Sequence, residues 1–203
     1  ARIWFLGRED SGVYPLEGNN GSMIVSGGMS YIVPDLLLQF KDFGIDENRI
    51  NKLLILHSHF DHVGVIPFFK RRLPRTDVYA SVRAWEILQM EKAVATINEF
   101  SRNVAKRMEL EEAYFIYDLE WRDDVTGKTV REGDQIDLGG LRVSILEIPG
   151  HSSCCIAAYV PEMKALFPTD GGGIPFDETI ITSGNSNYTK YQEGLEKLKD
   201  LAV

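Results

Sequence analysis

Three of the four histidines in the chain lie within six residues of one another, together with an aspartate. Their order is His57-x-His59-x-Asp61-His62, directly after an apolar run, 50–56, that we predict to be a buried strand. Imidazole and carboxylate groups are typical ligands of Zn²⁺, Fe and Mn, whereas Ca²⁺ and Mg²⁺ prefer oxygen ligands. On an extended turn, His57 and His59 can point to one side while Asp61 and His62 point to another. The segment therefore predicts ligands for two adjacent metal ions.

The fourth histidine and a further aspartate follow later predicted strands. His151 comes after Pro149-Gly150, and Asp170 lies between Thr169 and three glycines. Taken singly, a buried core histidine and a turn-forming aspartate would explain these two residues. Functional residues concentrate on loops that a rigid scaffold positions, so three strand ends with such residues favour one shared metal site.

The pattern His57-x-His59-x-Asp61-His62, followed by Pro149-Gly150-His151-Ser152 and Thr169-Asp170, resembles the metallo-β-lactamase superfamily, in particular its glyoxalase II and lactonase members. The resemblance extends over nearly the whole chain. It implies an α/β (α+β) fold, an αββα sandwich of two mixed β-sheets with helices on both outer faces and the metals at one edge. By the same resemblance His57, His59 and His151 would hold a first metal, Asp61 and His62 a second, and Asp170 would bridge both.

The activity that this resemblance implies is hydrolysis. Two divalent ions, zinc in first place with iron or manganese as alternatives, would activate a bridging hydroxide against a small ester, thioester, lactone or phosphodiester. Asp61 would act as the catalytic residue that orients this water or collects its proton. A β-lactam is not the expected substrate, because Asp170 stands where the antibiotic-hydrolysing type members carry cysteine.

Two other functions stay open at this point. A di-iron redox or oxygen-binding protein of the same fold is disfavoured, because such relatives typically carry Glu where this chain has His59. A non-catalytic sensor or binding module would tolerate an incomplete ligand set. Family members usually carry one more His after the last helix, whereas all four histidines here are already assigned. We expect the chain to continue beyond Val203, or another residue or chain to supply that ligand.

Other positions depart from the family pattern or allow two interpretations. Thr169 stands where Gly is frequent. Cys154 and Cys155 are either small buried residues that begin a strand or thiols that ligate a metal or sense oxidation. Asp35 resembles an Asp of the family that supports the site, and a helix N-cap explains it equally well.

The composition narrows the class of protein and its partners. The 203 residues are 44% hydrophobic and 26% charged, which excludes a disordered chain, a collagen and a disulfide scaffold. The net charge of −8 disfavours nucleic acid, and the basic run at 70–72 with Arg75 is interpreted as a solvated helix end. We expect a small-molecule substrate, no membrane partner, and a cytoplasmic location, since no signal peptide or apolar span is visible.

We predict a single domain over 1–203 that lacks its last C-terminal strand or helix and carries a helical insertion at 81–121. A stripe of apolar residues at alternating spacings of three and four, from Ile87 to Met108, predicts one helix over 81–112. The stripe packs on the same domain, or forms a homodimer seam, or closes over a pocket. Further helices are expected at 35–43, 65–72 and from 187 or 189 to near 203, and strands at 2–6, 12–16, 22–26, 30–33, 50–56, 76–80, 128–131, 135–138, 141–148, 155–160 and 165–167.

Overall fold

The fold is known from a computed structural model that describes residues 1–182 and 184–203. In these residues the strands are β1 (Arg2–Ile3), β2 (Leu6–Arg8), β3 (Ser11–Gly18), β4 (Gly21–Val25), β5 (Ile50–Leu54), β6 (Asp77–Ser81), β7 (Lys128–Val130), β8 (Gln135–Asp137), β9 (Arg142–Glu147), β10 (Ile156–Val160), β11 (Ala165–Phe167), β12 (Ile174–Phe176) and β13 (Thr179–Ile181). The helices are α1 (Val33–Asp42), α2 (Phe60–Val63), α3 (Ile66–Arg72), α4 (Val82–Leu88), α5 (Glu91–Arg107), α6 (Glu111–Ile116) and α7 (Tyr188–Lys199).

The first sheet has the strand order β1-β3-β4-β5-β6-β7, with β2 also paired to β3. Its first part, β1 to β4, is antiparallel, and the pairings from β4 to β7 are parallel. Helices cross between the parallel strands, which requires these strands to be covered on both faces. This explains why β4 is buried along its whole length.

The second sheet has the order β11-β10-β9-β8, and all its pairings are antiparallel. The expectation of two mixed sheets therefore applies to the first sheet, whereas the second is purely antiparallel. Strands β12 and β13 form a separate hairpin that the sequence analysis did not predict.

Alternating side chains divide the interior into three apolar layers. In β4, Ile24 packs with the helices outside the first sheet, while Met23 and Val25 face the second sheet. In β9, Ile145 faces the first sheet and Leu146 faces the outer side, where Leu198 of α7 packs. The order of layers is helices, sheet, sheet, helix, so the predicted αββα sandwich is confirmed.

Several local predictions were wrong. The segment predicted as a strand at 30–33 is a 3-10 turn, Ser30–Ile32, that runs into α1. The single helix predicted over 81–112 is divided into α4, α5 and α6, with breaks after Leu88 and Arg107. The last helix, α7, begins after Asn187 as predicted, because the Asn187 carboxamide oxygen accepts from the Lys190 N–H, but it ends at Lys199.

The apolar stripe of α5 packs within its own chain. Ile97, Ser101 and Val104 are buried, and Val94 and Met108 are partly buried against the same core. Much of the stripe is therefore a packing surface within this chain, and a homodimer through the 81–112 helix stays a prediction. The assignment of 81–121 as an insertion likewise stays a prediction.

The basic run on α3 is paired with acidic groups and backbone oxygens. Arg71 binds Asp124 at 2.7 Å and Arg72 binds Glu47 at 2.7 Å, while the Lys70 ammonium donates to backbone carbonyls. Among the helices of the described residues, none has the length and apolar character needed to cross a bilayer.

Candidate metal centre

The candidate site lies at one edge of the two sheets, where several connecting segments meet. The segment after β5 carries His57 and His59, the loop after β9 carries His151, and the 3-10 turn after β11 carries Asp170. The N–H of Ile156 in β10 donates to the carbonyl of Leu56, in the segment after β5, at 2.9 Å. This bond joins the second sheet to the segment that carries His57 and His59.

Two glycines allow these segments to approach their neighbours. A Cβ on Gly27 would lie 2.5 Å from the His62 carbonyl oxygen and 2.9 Å from Val63 Cα. A Cβ on Gly150 would lie 2.4 Å from Tyr191 Cα at the start of α7. Any side chain at these two positions would displace the loops that carry His62 and His151.

A first group of potential ligands consists of His57, His59, His151 and Asp170, whose ligand atoms all lie within 4.8 Å of one another. His151 Nε2 is 3.1 Å from His59 Nδ1 and 3.4 Å from Asp170 Oδ2. His57 Nε2 is 3.9 Å from the same Asp170 oxygen. The structure thus brings together the residues that the sequence assigned to a first metal.

A second group consists of Asp61, His62 and Asp170, also within 4.8 Å. His62 Nε2 is 3.3 Å from Asp170 Oδ1 and 3.6 Å from Asp61 Oδ2. The two oxygens of Asp170 therefore face different groups, Oδ2 toward the first and Oδ1 toward the second. This is the arrangement that a bridging carboxylate requires.

The donor atoms fit divalent metal ions. His57 Nε2 is fully buried and has no hydrogen-bond partner, which is costly for a polar atom unless a ligand satisfies it. Nitrogen and carboxylate donors that converge in this way suit zinc, iron or manganese. His57, His59, His151 and Asp170 could hold one ion, and the second group could hold another next to it.

The electrostatics of the site keep several groups in the form that binds a metal. Burial lowers the pKa of His57 well below its usual value, and the neighbouring imidazoles add to this effect. Burial also lowers the pKa of His59. Burial would raise the pKa of Asp170, but hydrogen bonding to His62 and the surrounding imidazoles outweigh it, so the pKa is lowered. Neutral imidazoles and an ionised carboxylate are the ligating forms.

His62 differs from His57 and His59 in its charge preference. Burial opposes its charged form, but the hydrogen bond to Asp170 and the attraction of Asp61 and Asp170 are stronger, so its pKa is raised. Its Nδ1 lies 3.3 Å from Ser26 Oγ. The contact between His62 and Asp170 therefore favours the charged form of His62 and the ionised form of Asp170, because it raises the pKa of the first and lowers that of the second.

Two hydroxyl groups that support the ligands were not found by the sequence analysis. Thr169 Oγ1 is 2.9 Å from His57 Nδ1, and Thr169 adopts a left-handed backbone with φ of 49°. Ser26, which contacts His62, also has a positive φ, 65°. The signal in the sequence was Thr169 itself, which stands where Gly is frequent.

Asp35 is neither a helix cap nor a support for the histidines. It lies in the first turn of α1, after the N-cap Ile32, and its carboxylate accepts from Arg8 Nε at 2.8 Å. Both interpretations from sequence were therefore wrong for Asp35.

The adjacent cysteines are free and buried. Cys154 Sγ lies 3.3 Å from Ser58 Oγ and 3.2 Å from Ser152 Oγ. Burial raises the pKa of Cys155 to about 12. In the described part of the chain neither thiol belongs to a group of potential ligands, which favours their interpretation as small buried residues.

A cavity of about 760 Å³ opens beside the candidate ligands. His59, Asp61, His151 and Asp170 line one end of it, and residues of α5 line one wall. A volume of this size accommodates a small organic molecule.

The chain belongs to the metallo-beta-lactamase superfamily, whose family model matches residues 7–203. It is 25% identical over 193 residues to the metallo-beta-lactamase fold-containing protein ST1585 of Sulfurisphaera tokodaii, covering 93% of this chain and 68% of that protein. It is 27% identical over 114 residues to a hydroxyacylglutathione hydrolase of Rhizobium meliloti, covering 51% of this chain and 43% of the hydrolase.

Solved structures show the same fold. The crystal structure of ST1585 from Sulfolobus tokodaii matches with a TM-score of 0.74 and 21% identity, covering 98% of this chain and 76% of that chain. The structure of TTHA1623 in a di-iron-bound form matches with a TM-score of 0.66 and 22% identity, covering 99% of this chain and 87% of that chain.

Proposed function

We propose that this protein is a dinuclear metal-dependent hydrolase of small esters, thioesters or lactones. The observation that carries the proposal is the pair of ligand groups that share Asp170 at the end of a cavity. The partial match to a hydroxyacylglutathione hydrolase supports an acyl substrate.

His57, His59 and His151 would hold one metal ion, Asp61 and His62 the other, and Asp170 would bridge them. Ions held by these residues would supply Lewis-acid chemistry, polarising a carbonyl oxygen and lowering the pKa of bound water to about 7. Zinc is the expected metal, with iron or manganese as alternatives.

The protein's own residues orient the reactants and move the proton. Asp61 lines the cavity, and 32% of its side chain is exposed, so its carboxylate can accept a proton from water at the cavity end. The protein interior around His57 excludes bulk water, because that side chain is fully buried. His62 and Asp170 position each other through the 3.3 Å contact between Nε2 and Oδ1.

The first test is elemental analysis of the purified protein, followed by assays of esters, thioesters, lactones and phosphodiesters. We expect two ions per chain and hydrolysis of acyl substrates. The absorption spectrum distinguishes colourless zinc from iron. Absence of bound metal after zinc, iron and manganese are each offered at neutral pH would overturn the proposal and favour a binding module.

Matched aspartate variants test the assigned roles. Asp170→Asn should lose both metal and activity. Asp61→Asn should lower kcat by about 100-fold or more, the size of a general-base contribution. Asp42→Asn, at an exposed position on α1, is the control and should keep full activity. Unchanged kcat in Asp61→Asn would remove Asp61 from the mechanism.

A further inference from the structure

The cavity beside the candidate ligands is apolar beyond its ligand-bearing end. Apart from Ala93, the apolar side chains that line it are Phe60, Ile87, Met90, Ile97, Phe100 and Ile174. Two of them, Met90 and Phe100, are 45% and 48% exposed in the protein alone. A ligand that covers exposed large apolar side chains removes their surface from water, which contributes favourable binding free energy.

One wall of the cavity is a row along helix α5. Ala93, Thr96 and Phe100 are spaced three and four residues apart, so they share one side of the helix and line the cavity together. The break between α4 and α5 sets the position of this row, since Ile87 and Met90 from the junction line the same cavity. The ring of Phe100 packs on that of Phe60, with centroids 5.4 Å apart, which links the row to the ligand-bearing segment.

The charges of the cavity disfavour a polyanionic substrate. Among its described lining residues, Lys92 is the one side chain with a fixed positive charge. Recognition of a phosphodiester backbone uses several cationic contacts. The remaining ionisable groups, His59, Asp61, His151 and Asp170, are the candidate ligands.

We propose that the α5 wall is a binding site for an apolar acyl chain, so that the substrates are acyl esters, thioesters or lactones with a medium-length hydrocarbon tail. The reacting carbonyl lies at the histidine end, and the tail lies along Ala93, Thr96 and Phe100. The inference rests on the proposed hydrolase function for the reaction, but the tail-binding site itself is independent of catalysis.

The same substitution at two positions of α5 tests the site. Ala93→Phe fills the cavity, whereas Ala95→Phe places the same ring at an exposed position outside it. With acetyl, butyryl, hexanoyl and octanoyl esters, kcat/KM of the parent protein and of Ala95→Phe should rise about threefold to fourfold per methylene. Ala93→Phe should lose at least about tenfold on octanoyl esters, with acetyl esters changed less than about twofold.

Binding to the metal-free protein separates this inference from the proposed activity. Methyl ketones (alkan-2-ones) of increasing chain length carry a carbonyl and a hydrocarbon tail but are not hydrolysed. Titration calorimetry measures their affinity for the protein. Chain-length-dependent affinity that Ala93→Phe abolishes supports the site, even if no ester is hydrolysed. Affinity independent of chain length overturns it, even if acetyl esters are hydrolysed. If Ala93→Phe does not fold, Thr96→Phe at an exposed position of the same row takes its place.

Discussion

Among the single residues of the site, His57 is a candidate ligand whose ring is held in one orientation by its surroundings. Its side chain is fully buried, Nδ1 contacts the Thr169 hydroxyl at 2.9 Å, and Nε2 has no partner. A proton on Nδ1 that is donated to Thr169 Oγ1 leaves the lone pair of Nε2 directed at the other ligands. Thr169 holds this position in a left-handed conformation that is unfavourable for a β-branched residue.

Variants of Thr169 test whether its hydroxyl orients His57. Thr169→Val keeps the shape and the backbone constraint but removes the hydroxyl, so zinc affinity should fall by about 10- to 100-fold. Thr169→Ser keeps the hydroxyl and should stay within about threefold of the parent protein. Competition with a chromophoric chelator measures these affinities. Equal affinity in Thr169→Val and the parent would show that the contact does not orient His57.

The cysteines give a second prediction at this scale. Because burial raises the pKa of Cys155 to about 12, only about one thiol in 10,000 is ionised at pH 8. We expect Cys154 and Cys155 to resist a thiol reagent in the folded protein and to react after unfolding. Ser153→Cys, at an exposed position between His151 and the cysteines, is the positive control and should react within minutes. Rapid labelling of the parent protein would restore the interpretation as redox-sensing thiols.

At the scale of elements, a single buried amide attaches helix α5 to the segment that follows α6. Asn98 Nδ2 donates to the Trp121 carbonyl at 2.9 Å, and Asn98 Oδ1 accepts from the Trp121 N–H at 2.8 Å. The Tyr114 hydroxyl donates to the same Oδ1 at 3.3 Å, and the Trp121 indole N–H donates to the Leu88 carbonyl. The helical region is thus tied together by polar contacts in an apolar core.

Replacement of this amide should destabilise the protein. Asn98→Leu leaves the buried N–H and carbonyl of Trp121 without partners, so the free energy of unfolding should fall by about 2–3 kcal/mol in denaturant titrations. Asn103→Leu makes the same change at an exposed position of α5 and should change the free energy of unfolding by less than about 0.5 kcal/mol. Equal effects of the two substitutions would contradict a clamping role for Asn98.

Local sequence patterns predicted most strands and the ligand-bearing loops, since these depend on short-range periodicity and turn residues. They failed where contacts between distant parts of the chain determine the secondary structure. The segment 30–33 is mostly apolar, like a buried strand, yet Tyr31 and Ile32 are fully buried beside α1 in a helical turn. The helix predicted over 81–112 contains no glycine or proline at its two breaks, so no residue type marks them in the sequence. Leu88 and Met108, which lie at the breaks, pack against the core.

In the molecule as a whole, the candidate ligands come from distant parts of the chain. The family pattern named the same six residues that form the two groups of potential ligands, and their role as ligands stays a prediction. Their supporting groups could not be predicted in the same way. Thr169 and His57 are 112 positions apart, and Ser26 and His62 are 36 apart. No local pattern encodes such pairs, because the sandwich of the two sheets creates them.

Bound metal should stabilise the whole fold. An ion that binds only the folded state, at a free concentration of 100 times its Kd, raises the free energy of unfolding by about 2.7 kcal/mol. Chelation should therefore lower Tm by about 5–10 °C. Differential scanning calorimetry with and without chelator measures this shift. Asp170→Asn, which removes the residue shared by both groups, should show almost no shift. If chelator does not change the Tm of the parent protein, that protein carried no bound metal that stabilises the fold.

The bond from the Ile156 N–H to the Leu56 carbonyl, which ties β10 to the segment that carries His57 and His59, holds two distant parts of the chain together beside the site. The segments after β5, β9 and β11 lie close together only in the folded sandwich, since each comes from a different part of the chain. We therefore expect an ion to bind a chain whose sheets have already packed, rather than to direct their packing. On that expectation, the metal that the protein carries would depend on the ions available to the folded chain, and a different metal supply would give a different metal in the same architecture.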